Sequence, residues 1–270
     1  MLPLRDANPT RRTPIVTIAI IAANVAAFLF WQPTFASGEQ APLEQQAFFW
    51  CHAAIPFEVS HQVNLASGGA EARAAIDRSY GEGFPLQGFL QSECPNKSWL
   101  QSVFVAMFLH GGWLHIVGNM LFLWVFGNNV EERLGMIRYL LFYLAGGMAA
   151  FALQLLLDPG SAIPSLGASG AIAAVLGAYI VTYPRARVLT LVIFFFITLV
   201  ELPAYFVLGI WFVLQLFSGV GQIGSEVNGG VAYWAHVGGF AFGLLVGFLL
   251  RRPGRRGGSA FDSVPPPIPL

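Results

Sequence analysis

Residues 110–120 read HGGWLHIVGNM and open a stretch of chain that is otherwise nearly all apolar. Two histidines, an asparagine and three glycines stand at the mouth of this predicted helix. His115 and Asn119 are four residues apart, so they share one helix face. Polar side chains inside a membrane are costly and mark candidate functional sites. The first question is therefore whether this helix crosses a membrane.

The composition is that of a membrane protein. The chain has 270 residues, of which 56% are hydrophobic and 10% charged, and its mean hydropathy is +0.63. Soluble domains carry about 25% charged residues, and long apolar runs indicate membrane spans. The formal net charge is zero and we find no nucleic-acid-binding motif, so we expect the lipid bilayer, and no nucleic acid, as a partner.

The distribution of basic residues predicts six crossings. Eleven of the 14 basic residues lie in segments that a six-span arrangement puts on one side, and the positive-inside rule makes that side cytoplasmic. Arg187 and the basic C-terminal tail lie on the same side, so an even number of crossings must separate them. The last span is one crossing, and the long apolar run before residue 218 therefore supplies only one more. Residues 188–200 then lie along the interface or against the bundle. The predicted fold is all-α, a polytopic bundle of six transmembrane helices. The predicted spans are residues 14–31, 113–130, 137–157, 166–183, 203–218 and 230–250.

The same argument divides the chain and places both termini in the cytoplasm. We expect a multi-pass protein of a bacterial inner membrane. The predicted segments are a cytoplasmic N-terminus (1–13), the first span (14–31), an extracytoplasmic loop (32–109) with weak helical patterning, a core with five spans (110–250), and a disordered cytoplasmic tail (251–270).

The two cysteines, Cys51 and Cys94, both fall in the extracytoplasmic loop. Disulfides persist outside the cytoplasm, so we predict a Cys51–Cys94 bridge. Two unrelated free thiols are the alternative.

Three polar clusters are predicted to lie at one depth. His115 with Asn119, Ser169, and His236 each lie in the first turn or two of a span that runs inward from the outer side. Taken singly, a serine at a helix start is most often a cap, and an intramembrane histidine often makes a structural hydrogen bond. Their common depth favours one shared site.

Small residues suggest how two of these clusters meet. Ser169, Ala173 and Gly177 form one small-residue stripe, and Gly239 and Gly243 form a GxxxG stripe one turn after His236. Such stripes let helices approach closely in lipid. If the stripes face each other, the His236 ring meets the Ser169 hydroxyl, which is the serine-and-base pair of nucleophilic catalysis.

Residues 108–250 resemble the rhomboid family of intramembrane serine proteases. The resemblance rests on HGGWLHIVGN, NNVEERLG, GASG and AHVGGFAFG, which occur in the family's order. It implies a serine endopeptidase that cleaves transmembrane segments of membrane proteins with Ser169 as nucleophile and His236 as general base. It implies no cofactor and no metal. The oligomeric state is not indicated.

The resemblance also implies roles for the surrounding residues. Asn119, His115 and the Ser169 backbone N–H form an oxyanion hole, and His110 lies at the mouth of a water-filled cavity. The structural residues are Gly167 and Gly170 around the nucleophile, Gly239 and Gly243 on the last span, and Glu131 with Arg133 as a pair at the cytoplasmic end of the second span.

The chain departs from the family at two places. The Trp-Arg pair that often precedes the first motif is absent, and Ala173 stands where many members have an aromatic residue stacked on the catalytic histidine. No Asp or Glu falls at membrane depth near the site, so we expect His236 to be oriented by packing alone. Without the aromatic residue, either neighbouring Tyr233 or Trp234 holds His236 or the activity is modest.

Three other functions stay open on the sequence. One is a catalytically weak or inactive relative that binds membrane helices. The second is a zinc enzyme built from His110, His115 and His236, although the sequence has no HExxH motif. The third is a transporter, which favours broken helices at the membrane midplane.

Overall fold

The computed structural model describes residues 1–37, 41–193, 197–222 and 231–249. These residues form eleven helices and three strands. The strands are β1 (Leu2–Asp6), β2 (Arg187–Ile193) and β3 (Ile197–Pro203). The helices are α1 (Ile15–Phe30), α2 (Ala41–His52), α3 (Pro56–His61), α4 (Gly69–Tyr80), α5 (Leu86–Glu93), α6 (Trp99–Ala106), α7 (Trp113–Leu134), α8 (Met136–Leu157), α9 (Ser169–Thr182), α10 (Ala204–Gln222) and α11 (Tyr233–Leu249). The predicted tail, 251–270, lies outside the described residues.

Helix α9 is the centre of a bundle of long apolar helices. It contacts α7, α8, α10 and α11, and every residue from Gly170 to Tyr179 is buried. Helices α1, α7, α8, α9, α10 and α11 alternate in direction. We call the end that carries the N-termini of α7, α9 and α11 the site end.

The outside of the bundle is apolar. Leu114 is 92% exposed, Ile137 77% and Phe217 72%. Large apolar side chains exposed in this number mark a surface that meets another apolar phase. By length and hydropathy, Met136–Leu157 and Ala204–Gly221 qualify as candidate spans among the described residues, and three apolar helices are shorter. The count of six crossings therefore stays a prediction.

A small sheet corrects the all-α prediction. Strands β1, β2 and β3 form an antiparallel sheet in that order, so residues 1–13 are not merely a terminal extension. Residues 188–200 were expected along the interface, but those that the structure describes belong to the paired strands β2 and β3, in which Val188 pairs with Leu202. Their β-branched residues favour strands, but both strands are apolar, so they read as part of one long apolar run in the sequence.

Residues 32–109 are also more ordered than their weak patterning predicted. Helices α2 to α6 enclose a core of their own, which includes Ile55, Leu65, Ile76, Leu86 and Leu90. Each helix has only 6–12 residues, which is too short to display a helical period clearly. We call residues 41–106 the outer segment.

The outer segment contains a buried ion pair. The Lys97 Nζ lies 2.7 Å from a Glu58 carboxylate oxygen, and both side chains are almost fully buried. Lys97 also donates to the Trp50 carbonyl at 2.8 Å. Burial lowers the pKa of Lys97, and the Glu58 charge opposes that shift.

The end of the bundle opposite the site end is closed by polar contacts. The Glu131 carboxylate accepts hydrogen bonds from the Val16 and Thr17 N–H groups at 2.9 and 2.7 Å, and from the Thr17 hydroxyl. It therefore caps the start of α1, where unpaired N–H groups favour an anion. Its predicted pairing with Arg133, in the last turn of α7, stays a prediction.

Candidate active site

Ser169 is the first residue of the central helix α9. The residue two places before it, Gly167, has φ +121°, which side-chain-bearing residues rarely adopt. A Cβ on Gly167 would also lie 3.0 Å from the His115 ring and 3.4 Å from the Ser169 hydroxyl. Glycine at 167 therefore lets the chain turn sharply into α9 and leaves the space in front of Ser169 open.

The outer segment holds the loop that leads to Ser169. The Ser165 N–H donates to the Ala54 carbonyl at 2.7 Å, and the Gly167 N–H donates to the Ala106 carbonyl at 2.8 Å. Two backbone hydrogen bonds thus fix the loop from residues far away in the sequence.

His236 lies in the first turn of α11 and reaches Ser169. Its Nε2 is 2.8 Å from the Ser169 Oγ. The two helices are brought together by small residues, because a Cβ on Gly239 would collide with the Gly170 carbonyl oxygen and lie 3.3 Å from the Ala173 Cβ. The predicted stripes therefore do face each other, with Gly170 on the contact and Ser169 at its end.

A second close contact between α9 and α11, beyond the one at Gly239, lies one turn further along α11. A Cβ on Gly243 would overlap the Ala174 backbone, and one on Gly177 would overlap the Phe240 carbonyl. The close approach of α9 and α11 thus extends beyond the site and fixes the height of His236 relative to Ser169.

His115 faces the same space with a defined tautomer. The Gly111 N–H donates to its Nδ1 at 3.2 Å, so in the neutral ring Nε2 carries the proton. Its Nε2 borders the space in front of Gly167 and Ser169, and is therefore a donor directed at the site.

Asn119 lines the cavity that holds Ser169 and His236. Its buried Nδ2 has no hydrogen-bond partner among the described residues. An unpaired buried amide is costly, and this one is free to donate to a group that enters the cavity.

His110 is fully buried, and both of its ring nitrogens lack hydrogen-bond partners within the described ranges. Burial, aided by the nearby His115 ring, lowers the pKa of His110 to about 3, so the ring is neutral at physiological pH. The Gln32 side chain, just after α1, makes two hydrogen bonds to the His110 backbone. The His110 N–H donates to Gln32 Oε1 at 2.9 Å, and Gln32 Nε2 donates to the His110 carbonyl at 2.8 Å. His110 therefore lies beside His115 and below the surface.

Sequence reasoning missed Gln215. Its Oε1 lies 2.7 Å from His236 Nδ1. The expectation that packing alone orients His236 is therefore wrong. Trp211, one turn earlier on α10, places its ring centroid 5.9 Å from that of His236, and Tyr233 lies at 6.4 Å. The signal in the sequence was an amide within an apolar span, where polar groups are costly.

Together these groups surround one cavity of about 510 Å³. Ser169, His236, Asn119, His115 and Gln215 supply its polar wall. The rest of the wall is apolar and includes Phe122, Ile172, Leu176 and Trp211. The cavity thus combines a nucleophile, a base and hydrogen-bond donors with room for an apolar chain.

The three histidines of the zinc alternative do not form a metal-binding set. No group of three His, Cys, Asp or Glu residues with metal-binding geometry occurs in the part of the chain that the structure describes.

Comparison with known proteins identifies the family of the chain. The profile of the Rhomboid domain family matches residues 97–253, more than half of the chain. The chain belongs to the rhomboid family. It is therefore a multi-pass integral membrane protein, and its family includes serine intramembrane proteases.

Similar proteins come from plants, yeast and bacteria. RHOMBOID-like protein 4 of Arabidopsis thaliana is 34% identical over 148 residues, which cover 53% of this chain and 32% of that protein. Rhomboid protein 1, mitochondrial, of Saccharomyces cerevisiae is 28% identical over 156 residues, covering 56% and 42%. Rhomboid protease GluP of Bacillus subtilis is 44% identical over 70 residues, covering 26% and 13%. The matches thus span less than half the length of these relatives.

Proposed function

We propose that this protein is an intramembrane serine endopeptidase that cleaves transmembrane segments of membrane proteins with a Ser169–His236 dyad. The observation that carries the proposal is the 2.8 Å contact between Ser169 Oγ and His236 Nε2 at the start of α9. A hydroxyl and an imidazole at this distance satisfy the geometric requirement for an activated nucleophile.

The chemistry proceeds in two steps. Ser169 Oγ attacks the carbonyl carbon of the scissile peptide bond while His236 Nε2 takes the hydroxyl proton. The C–N bond then breaks, the amine leaves with that proton, and Ser169 holds the acyl group as an ester. Water attacks the ester as His236 takes its proton, and the proton returns to Ser169 when the acid product leaves.

Three donors are available for the oxyanion formed in each step. The Ser169 N–H is in the first turn of α9, where N–H groups lack helical partners. Asn119 Nδ2 has no partner within the described residues, and the His115 tautomer presents Nε2–H. Removal of one such donor typically lowers turnover by about 10²–10³.

The length of α9 supports hydrolysis below the membrane surface. Its 14 residues rise about 21 Å at about 1.5 Å each, whereas the hydrocarbon core is about 30 Å thick. If the other end of α9 reaches one boundary, Ser169 lies about 9 Å inside the other. Helix α9 does not need to cross the whole hydrocarbon core, because its residues from Gly170 to Tyr179 are buried against neighbouring helices.

A polar cavity adjoins the site and is the source of water that we propose. A second cavity of about 340 Å³ lies between α2 and the end of α8, and its lining includes Gln45, Gln154 and Asp158. It shares Gly111 and His115 with the cavity around Ser169. The polar cavity is therefore the immediate neighbour of the cavity in which the acyl ester forms.

The proposed orientation rests on the charge argument. The basic residues that flank the spans place the site end outside the cytoplasm, with six crossings and both termini cytoplasmic. A bacterial inner membrane has that arrangement, although some relatives are named as mitochondrial proteins. The family resemblance suggests the substrate class: single-pass proteins whose spans contain glycine or other helix-poor residues, cut beside a small residue.

The test is cleavage of a transmembrane reporter in lipid vesicles, with the cut located by mass spectrometry. Wild type should cut within the span, and Ser169→Ala and His236→Ala should not. Ser92→Ala and His61→Ala, in the outer segment, control for loss of a serine or a histidine elsewhere. Inactive wild type would favour a relative that binds helices without cutting, and loss of cleavage on chelation, reversed by added zinc, would favour the zinc alternative.

A further inference from the structure

His236 has a partner at each ring nitrogen. Nε2 lies 2.8 Å from Ser169 Oγ on α9, and Nδ1 lies 2.7 Å from Gln215 Oε1 on α10. The base is therefore held between two different helices, and the second contact belongs to a residue outside the motifs of the dyad.

The chemistry of the amide decides the tautomer. An amide oxygen only accepts, so the Gln215 Oε1 contact requires a proton on His236 Nδ1. In the neutral ring, Nε2 then has a free lone pair toward the Ser169 hydroxyl. The opposite tautomer would point an N–H at the serine oxygen, and such a ring cannot accept the serine proton.

No carboxylate lines the cavity around Ser169 and His236 among its described lining residues. A neutral amide fixes the tautomer without placing a negative charge in an apolar wall, where an unpaired charge is costly. It does so at the position in the hydrogen-bond chain that a carboxylate occupies in a Ser-His-Asp triad.

The fold explains why this contact comes from α10. Trp211 and Gln215 are one turn apart on α10, and both reach His236. Helix α10 approaches α11 at Gly219, where a Cβ would lie 3.2 Å from the Trp234 ring.

We propose that Gln215 is a positioning residue: its side-chain oxygen accepts the His236 Nδ1–H and holds the base in the tautomer that activates Ser169. The inference rests on the proposed function. It makes the orientation of the base depend on the packing of α10 against α11.

The experiment measures the rate at which a serine-reactive fluorophosphonate labels the detergent-solubilised full chain, together with kcat and KM for reporter cleavage. Gln215→Leu removes the acceptor at similar size. Its labelling rate and kcat should fall at least about tenfold, toward the about 10⁴-fold loss seen when a catalytic histidine is held in the wrong tautomer. KM should change little, because the bond acts on the base and not on substrate binding.

Gln215→Glu keeps an oxygen acceptor and should recover most of the loss. Phe217→Leu, an exposed position on the same helix, controls for perturbation of α10 and should label at the wild-type rate. Thermal unfolding of each variant checks that it is folded; if Gln215→Leu does not fold, the decision rests on Gln215→Glu, in which Nδ1 still has an acceptor.

The outcomes separate this inference from the proposed function. If wild type is not labelled, or Ser169→Ala is labelled equally, the proposed function fails. If labelling needs Ser169 and His236 but Gln215→Leu keeps the wild-type rate, only the positioning role is overturned. A folded Gln215→Glu variant as slow as His236→Ala would also overturn it.

Discussion

Ser169 combines two functions at one residue because it begins a helix. Its hydroxyl lies 2.8 Å from His236 Nε2, and its backbone N–H belongs to the unpaired first turn of α9. The same residue thus supplies the nucleophile and one donor for the oxyanion. A serine in the middle of α9 would have its N–H bonded within the helix and would lose the second function.

Asn119→Ala tests the side-chain part of the oxyanion hole. We expect kcat to fall by about 10²–10³ with little change in KM, because the donor acts in the transition state. Thermal stability should be unchanged or higher, since the buried Nδ2 has no partner among the described residues. An effect confined to KM would contradict this role.

Asn129→Ala is the matched control on the same helix. Its amide donates to Asp6 at 2.7 Å and accepts from Asn8 at 2.7 Å, far from the site. Its loss should lower the melting temperature and leave kcat of the folded protein unchanged.

The residues of the site were predictable to the extent that a motif or a costly polar position identified them. Ser169, His236, His115 and Asn119 surround one cavity, as their common depth suggested. Gln215 was not identified, because its partner lies on another helix and no spacing along the chain relates the two. Residue periodicity reports the face of one helix and not the contact between two.

At the scale of the elements, the close contact of α9 with α11 sets the distance between nucleophile and base. Gly239 and Gly243 meet the backbone of α9 directly. In lipid, helix association depends on such packing, because the hydrophobic effect does not drive helices together there.

Gly239→Ala should separate these helices. The added Cβ would collide with the Gly170 carbonyl oxygen, so α11 must shift and carry His236 away from Ser169. Overpacking typically costs about 1–3 kcal/mol, and we expect both a lower melting temperature and at least about tenfold lower kcat, since misplacement by about 1 Å can cost about 10²-fold.

Gly209→Ala on α10 is the control for adding a methyl group to a membrane helix. A Cβ there meets nothing within 4 Å, and alanine favours a helix over glycine by about 1 kcal/mol. Its stability should be equal or higher and its kcat unchanged. Full activity of Gly239→Ala would contradict the packing account.

Element prediction succeeded where the apolar run was long and failed where elements were short. Helices α7 and α8 begin and end within a few residues of the predicted spans. The strands β2 and β3 did not show in the sequence, because an apolar strand cannot be told from an apolar helix segment by periodicity. Helix α9 is shorter than predicted, since the loop residues before Ser169 are also mostly apolar.

At the scale of the whole molecule, the outer segment braces the site from outside the bundle. The structure joins Cys51 and Cys94, which are 43 positions apart in the sequence, in a disulfide with their Cα atoms 5.7 Å apart. Cys51 is three residues before Ala54, whose carbonyl accepts the hydrogen bond from the Ser165 N–H. The bridge thus constrains the segment that fixes the loop before Ser169.

We predict that this disulfide exists in protein isolated from its membrane and that its removal loosens the outer segment. The chain-entropy model gives about 4 kcal/mol as an upper value for such a loop. A Cys51→Ala/Cys94→Ala variant should lose protection of the outer segment against limited proteolysis. A reductant should make the outer segment of the wild type as sensitive to the protease as that of the variant. It should not change the sensitivity of the variant. Two separately alkylated thiols in non-reduced wild type would contradict the prediction.

The most direct test of the central claim is mass spectrometry of the protein after reaction with a fluorophosphonate. A dyad of Ser169 and His236 predicts one adduct per wild-type chain, mapped to Ser169, and none on Ser169→Ala or His236→Ala, all three being folded by thermal unfolding. Full labelling at another serine, or reporter cleavage by Ser169→Ala at the wild-type rate, would contradict the dyad.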